Sequence, residues 1–102
     1  MGLCIQLADE RSAALDVVTD DANVLHRLLP RIDDDSRPML SSIDLYGDTV
    51  FNALQMKRFL AEWDDIMQRA RSPEERMLTA AVKKLAERCR DEVHLYLKFI
   101  GD

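Results

Sequence analysis

Two residues near the C-terminus have side chains and a spacing that allow chemistry. Arg88 and His94 are separated by five positions. A histidine can act as a general base, and an arginine can stabilise the negative charge of a phosphate. The pair therefore leaves open general acid–base chemistry beside a negatively charged group. Arg90 and Asp91 stand close to His94, however, and a surface ion pair on a helix explains the histidine, so we expect no catalytic residue.

The Arg88–His94 spacing resembles the Arg–His motif of HEPN-type ribonucleases. The resemblance covers two residues, and the position after the arginine, which is usually polar in that motif, is Cys89. We expect Cys89 in the hydrophobic core. The resemblance therefore implies ribonuclease chemistry only as an alternative.

The densest charge cluster is the run Asp33, Asp34 and Asp35, which lies between Pro30 and Pro38. Three adjacent carboxylates repel one another, and a cation or a basic partner would relieve the repulsion. A calcium loop needs spaced oxygen ligands, a glycine turn and a distal glutamate, which this run lacks, so we expect no metal site. The run is either a solvated loop or a contact for a basic protein, and we predict that its three aspartates bind a partner.

The stretch from Tyr46 to Gln55 is a second candidate for partner binding. Asp48 is expected to cap the helix that follows, and Asn52 and Gln55 interrupt an otherwise apolar run one helical turn apart. Buried amides must find hydrogen bonds, so these two either fix the entry to the helix or bind a partner. We predict Tyr46, Asp48, Asn52 and Gln55 as partner-binding residues.

The composition is that of a folded protein. The chain has 102 residues, of which 47% are hydrophobic and 32% charged, ordinary values for one globular domain. No apolar run reaches the roughly 20 residues that span a bilayer. No basic leader precedes Asp9 and Glu10, so we expect a cytoplasmic protein that does not bind the membrane. The two cysteines, Cys4 and Cys89, lie on apolar faces and make no disulfide framework, and no motif indicates a cofactor.

The net charge of −5 is distributed unevenly along the chain. Residues 1–48 carry ten acidic and four basic side chains, whereas residues 49–102 carry nine acidic and ten basic ones. Binding to nucleic acid requires clustered lysine and arginine, so the composition argues against a nucleic-acid partner. The acidic N-terminal half instead favours a basic protein partner.

The N-terminal half predicts short elements. Apolar runs bounded by polar residues indicate three strands, at 3–8, 14–19 and 39–46, of which the first two are expected to form a β-hairpin. Asp20 or Asp21 can cap a short helix over 22–29, which ends at Pro30.

The C-terminal half predicts two long amphipathic helices. In the first, which Asp48 caps, apolar residues recur three and four positions apart. At the corner, Ser72 is a good N-cap, Pro73 suits the first helical position, and Glu75 completes a capping box. We expect the two helices to pack as an antiparallel hairpin.

The second helix is expected to continue to Ile100 and to end at Gly101. The predicted fold class is therefore α+β, with a small N-terminal sheet and a short helix packed on a long helical hairpin. The chain is expected to form one domain over 1–102, with the strands and the short helix in 1–47 and the hairpin in 48–102.

Two strings of the sequence resemble segments of small uncharacterised bacterial proteins of about this length. They are Tyr46 to Asn52 (YGDTVFN) and His94 to Asp102 (HLYLKFIGD). The resemblance implies a bacterial protein that stands alone as a domain, and it implies no particular activity.

These features favour a small acidic module for protein–protein interaction. Its most concrete form is an immunity-type or antitoxin-like inhibitor of a basic enzyme. The ribonuclease of Arg88 and His94 is one alternative. A structural homo-oligomer without a catalytic role, such as a homodimer formed through apolar residues of the long helices, is the other.

Overall fold

The computed structural model describes residues 2–30, 34–92 and 94–101. These residues form an α+β fold, which confirms the predicted fold class, and one hydrophobic core lies between an antiparallel sheet and the helices. Within the described part of the chain, no helix is long and apolar enough to cross a membrane. In chain order the elements are β1 (Cys4–Asp9), β2 (Ala14–Thr19), α1 (Leu25–Leu28), α2 (Pro38–Ser41), β3 (Asp48–Asn52), a 3₁₀ turn (Ala53–Gln55), α3 (Met56–Arg69), α4 (Pro73–Asp91) and β4 (Leu95–Ile100).

The sheet has four strands in the order β2-β1-β4-β3, and every neighbouring pair is antiparallel. Residues along β4 alternate between buried and partly exposed. Because successive side chains of a strand point to opposite faces, Leu95, Leu97 and Phe99 all point into the core. β1 and β4 are the central strands, and β2 and β3 form the two edges.

The predicted β1–β2 hairpin is confirmed, and Asp9 holds its loop. The Asp9 carboxylate accepts hydrogen bonds from the backbone N–H groups of Arg11 (2.9 Å) and Ala13 (3.0 Å). Ser12 takes a positive φ of 65°, a left-handed conformation that is common at the end of short hairpin loops. This polar loop lacks the Asn-Gly pair that favours two-residue hairpin turns, yet it still makes a tight turn.

Of the two aspartates that could cap the short helix, Asp20 does so. Its buried carboxylate accepts hydrogen bonds from the N–H groups of Val24 and Leu25, both at 2.8 Å. The helix is shorter than the predicted range 22–29, since α1 covers only Leu25–Leu28.

The corner between α3 and α4 forms as predicted. The Ser72 Oγ accepts a hydrogen bond from the Glu75 N–H (3.1 Å), and the Glu75 carboxylate accepts one from the Ser72 N–H (3.0 Å). Pro73 follows the cap as the first residue of α4. This local capping box starts the second helix of the hairpin.

The predicted strand over 39–46 is wrong. Residues Pro38–Ser41 form helix α2, where Pro38 suits the first helical position. The buried carboxylate of Glu62, on α3, accepts hydrogen bonds from the N–H groups of Met39 (3.2 Å) and Leu40 (3.0 Å). The donors at the start of α2 are thus satisfied by a residue far away in the sequence, which no local pattern reveals.

The prediction that Asp48 caps the first long helix is also wrong. Asp48 begins strand β3, and α3 starts only at Met56, after the 3₁₀ turn. Residues 49–51 are threonine, valine and phenylalanine, which are enriched in strands, and they pair with β4. Part of the region assigned to the helical hairpin therefore belongs to the sheet.

The second long helix ends at Asp91 rather than at Ile100. Residues 95–100 form β4, because hydrogen bonding to strands on both sides stabilises the extended backbone. Gly101 is not a left-handed helix end, since the described glycines have no positive φ. A Cβ atom at Gly101 would lie 2.4 Å from the carbonyl oxygen of Leu45, so this close approach requires glycine.

Candidate partner-binding site

The aspartates predicted to bind a partner have different surroundings. Asp33 lies outside the described residues. Asp34 accepts hydrogen bonds from the Oγ (2.5 Å) and the N–H (3.0 Å) of Ser36 and from the Arg37 guanidinium (3.0 Å). The hydrogen bonds from Ser36, together with Arg37, hold the pKa of Asp34 below its usual value. Its carboxylate therefore stabilises the local turn.

Asp35 is exposed and lines a shallow groove of about 410 Å³ with Arg58 and Asp65 of α3. Arg37 ties this loop to α3, because its Nε lies 3.3 Å from the Asp65 carboxylate. Asp35 is thus accessible at the surface beside α3.

The second predicted stretch, segment 46–55, forms an exposed edge of the fold. Three of its large apolar side chains are strongly exposed: Tyr46 by 76%, Val50 by 50% and Leu54 by 92%. The described chain exposes three other large apolar side chains, namely Leu15, Val17 and Met77. Single exposed apolar residues are common, but three of these six fall within ten positions of the chain, which makes the segment a candidate interaction surface.

The polar residues predicted in segment 46–55 separate into two groups. Asp48 is exposed at the start of the edge strand β3, opposite Ile100. Asn52 and Gln55 form a capping box, in which the Asn52 Oδ1 accepts a hydrogen bond from the Gln55 N–H (3.1 Å) and the Gln55 Oε1 accepts one from the Asn52 N–H (2.8 Å). These two amides fix the entry to α3, whereas Tyr46 and Asp48 face solvent.

Two hollows lie at the ends of segment 46–55. At its N-terminal end, Tyr46 and Asp44 line a hollow of about 410 Å³ with apolar walls, which we call the Tyr46 cavity. At its C-terminal end, Leu54 and Gln55 line a wider hollow of about 540 Å³ beside α3, the Leu54 groove. Arg58 lines both the Leu54 groove and the groove that contains Asp35, so these two hollows are neighbours on α3.

Asp44, which the sequence analysis did not single out, helps to position Tyr46. Its Oδ1 accepts a hydrogen bond from the Tyr46 N–H (2.8 Å), and its own N–H donates to the Oγ1 of Thr49 (2.9 Å). An aspartate whose carboxylate accepts the N–H of the residue two positions further on forms an Asx turn. This pattern is local, so the sequence could have identified Asp44.

The ribonuclease alternative needs Arg88 and His94 on the same helix. The structure places them on different elements. Arg88 lies in α4, where its guanidinium is 3.1 Å from Glu92 and 3.6 Å from Asp16. His94 lies in the turn before β4 and takes a positive φ of 65°. The expected helical spacing of the pair is therefore absent.

The surface ion pair expected for His94 involves a different partner from the predicted neighbours Arg90 and Asp91. Arg90 contacts its neighbour Asp91 at 2.7 Å, and this hydrogen bond raises the pKa of Arg90 and lowers that of Asp91. The Nδ1 of His94 instead lies 3.8 Å from the Glu10 carboxylate. The turn before β4 thus approaches the hairpin loop of β1 and β2.

Cys4 and Cys89 are both free thiols. Cys89 lies in the core, and burial raises its pKa to about 11, which makes its thiolate scarce at neutral pH. Among the residues that the structure describes, no group of three histidine, cysteine, aspartate or glutamate side chains could hold a metal ion.

Comparison of the chain with protein-family models, with curated proteins and with solved structures finds no match. The interpretation of segment 46–55 therefore rests on its geometry. Exposed apolar side chains, nearby carboxylates and two hollows occur there together.

Proposed function

We propose that this chain is a small acidic protein-binding module that inhibits a basic enzyme, in the manner of an immunity protein or an antitoxin. The observation that carries the proposal is the concentration of Tyr46, Val50 and Leu54 in one exposed segment. Fully burying an apolar side chain is worth about 1.5–3 kcal/mol, so a partner that covers all three gains substantial binding free energy. Tyrosine is also among the residues that contribute most at protein interfaces.

The charges around the segment favour a basic partner. Asp44 and Asp48 are exposed on either side of Tyr46. The Leu54 groove is lined by Lys57 and Arg58, and Asp35 is exposed in the groove next to it, so the negative charge is concentrated at the Tyr46 end of the segment. The chain as a whole carries a net charge of −5. Exposed charges at the rim of an interface mainly raise the association rate, and salt at 0.10–0.15 M screens them over about 8–10 Å. The proposed partner is therefore a basic protein rather than a nucleic acid or a membrane.

The proposal assigns the protein no catalytic activity and no cofactor. Support comes from the surroundings of Arg88 and His94, where Asp16 and Glu92 approach the arginine and Glu10 approaches the histidine. Asp16 and Glu92 compete with a phosphate for the Arg88 guanidinium, and the negative charge of Glu10 repels a phosphate from the His94 imidazole. The metal-independent ribonuclease is for this reason the less favoured alternative.

The test uses the products of the genes that lie beside the gene for this chain. Each product is expressed with and without the chain, growth is compared, and binding is measured by isothermal titration calorimetry. We expect one basic product to be toxic alone and to bind the chain. Leu54→Ser should weaken this binding by about tenfold or more, because it removes an anchor from the interface.

The matched control is Met77→Ser, which changes an exposed apolar side chain on α4, outside the segment. It should leave the affinity unchanged, and circular dichroism should show that both variants fold. Equal losses in the two variants would contradict segment 46–55 as the binding site. If no neighbouring product binds, and the chain alone forms dimers that Leu54→Ser disrupts, the homo-oligomer replaces the proposed inhibitor.

A further inference from the structure

We infer that the Tyr46 cavity receives an arginine side chain of the basic partner, an inference that rests on the proposed function and names the chemistry of one contact. The cavity lies at the N-terminal end of segment 46–55, where Tyr46 lines it and is itself exposed. A partner that covers Tyr46 therefore also covers the mouth of the cavity.

The walls of the cavity suit the methylene part of an arginine. They include the side chains of Leu29, Leu40, Ile43 and Leu45, which come from the region of α1 and α2 and from the loop before β3. His26 and Ser41 also line the cavity, and Asp44 is the one acidic residue among the described residues that line it. Leu40 and Ile43 are buried, whereas Leu29 and Leu45 are partly exposed at the surface of the core. Arginine buries its apolar stem along such surfaces while its charged end stays in contact with polar groups.

The charged end of an arginine meets the carboxylate of Asp44. The Oδ1 of Asp44 already accepts the Tyr46 N–H at 2.8 Å, which fixes the orientation of the carboxylate. The Oδ2 of Asp44 lies beside Gly47, and no donor among the described residues forms a hydrogen bond with it, so it offers an acceptor to a guanidinium N–H. A hydrogen bond between two charged groups is stronger than one between neutral groups.

The Tyr46 ring favours arginine over lysine. Because Tyr46 and Asp44 line the same cavity, a guanidinium bound by the carboxylate has an aromatic ring nearby. A guanidinium is planar and weakly hydrated, and it stacks on aromatic faces more readily than an ammonium group does. An apolar wall, a single oriented carboxylate and an aromatic ring together match the three parts of an arginine side chain.

The experiment uses a defined probe, N-acetyl-arginine methylamide, added to ¹⁵N-labelled protein at pH 7.5. The matched control probe is the citrulline analogue, which has nearly the same shape without the charge. We expect saturable shifts of the backbone amide signals of residues 43–47. The arginine probe should bind roughly tenfold more tightly than the citrulline probe, because a charged hydrogen bond is lost in the latter.

Two variants make the test specific. Asp44→Asn should abolish the preference for arginine, whereas Asp64→Asn, which neutralises an exposed carboxylate of α3 that does not line the cavity, should retain it. Equal affinities for the two probes, an equal loss in both variants, or saturable shifts only outside the cavity would overturn the inference.

The inference and the proposed function can fail separately. If a neighbouring gene product binds with the same affinity to the wild type and to Asp44→Asn, the arginine contact is absent and the proposed function stands. If the arginine probe binds as expected and no neighbouring product binds, the proposed function fails and the cavity remains a site for guanidinium groups.

Discussion

Three buried carboxylates accept backbone hydrogen bonds at the starts of helices. Asp20 caps α1, Glu62 of α3 caps α2, and Glu75 belongs to the capping box of α4. The first N–H groups of a helix have no acceptor within the helix, and a carboxylate supplies one. These three acidic residues therefore stabilise the fold, and a count of acidic residues overstates the negative charge that the surface offers to a partner.

Glu75 should make the stability of the protein depend on pH in acid. The N–H groups of Ser72 and Arg71 lower the pKa of Glu75 from 4.5 to about 2. Because this pKa is lower in the folded chain than in the unfolded chain, the carboxylate stabilises the fold above pH 4.5, and the contribution disappears as the pH falls towards 2. Glu75→Gln should therefore be less stable than the wild type at pH 7, and the difference should shrink over that interval.

Urea unfolding at a series of pH values between 7 and about 2 measures this difference. Glu74→Gln is the matched control, because it makes the same change at the exposed neighbouring position and should follow the wild-type curve. Parallel curves for the wild type and Glu75→Gln would contradict the assigned role of the Glu75 carboxylate.

At the scale of the elements, the sequence predicts those that depend on signals within a few residues. The β1–β2 hairpin and the capping box at Ser72 belong to this class. The elements predicted wrongly depend on distant residues, since Glu62 caps α2 and β4 pairs with strands on both sides. Residues 95–100 continue an apolar stripe of α4 and also alternate with a period of two, so only tertiary pairing decides between helix and strand.

The candidate site could be predicted in part for the same reason. A turn followed by amides in an apolar run is a local pattern, and it indicates segment 46–55 as a candidate binding segment. The strong exposure of Leu54 depends on how α3 packs, and the local pattern does not contain that information. The Tyr46 cavity is lined by residues that lie between His26 and Tyr46 in the sequence. No helical or strand periodicity predicts that these positions lie together in the fold.

Asn52→Ala tests whether the capping box starts α3. The substitution removes the acceptor of the Gln55 N–H, and the loss of such a cap should lower the free energy of unfolding by about 0.5–2 kcal/mol. Asn52→Asp keeps an acceptor oxygen and should stay close to the wild type. Urea denaturation measures both variants. Unchanged stability in Asn52→Ala, together with weaker binding to the partner, would show that the amide serves recognition.

At the scale of the whole molecule, one aromatic cluster joins the sheet to the helices. Phe59 and Trp63 of α3 stack with their ring centroids 5.5 Å apart. Phe99 of β4 contacts both rings, at 5.8 Å from Phe59 and 6.5 Å from Trp63. Because both layers share this cluster, we expect them to unfold in one cooperative transition.

Trp63→Ala should therefore destabilise the whole fold, by about 3–5 kcal/mol, which is a large part of the stability of a small domain. Trp63 is fully buried, and its Nε1 donates a hydrogen bond to the Thr79 carbonyl oxygen (3.0 Å), so alanine removes both packing and a hydrogen bond. Trp63→Phe keeps most of the packing and should cost only about 1–3 kcal/mol. Urea titrations followed by far-UV circular dichroism measure both losses. A loss below about 1 kcal/mol for alanine, in the range of ordinary surface substitutions, would mean that the two layers are not held together at this residue.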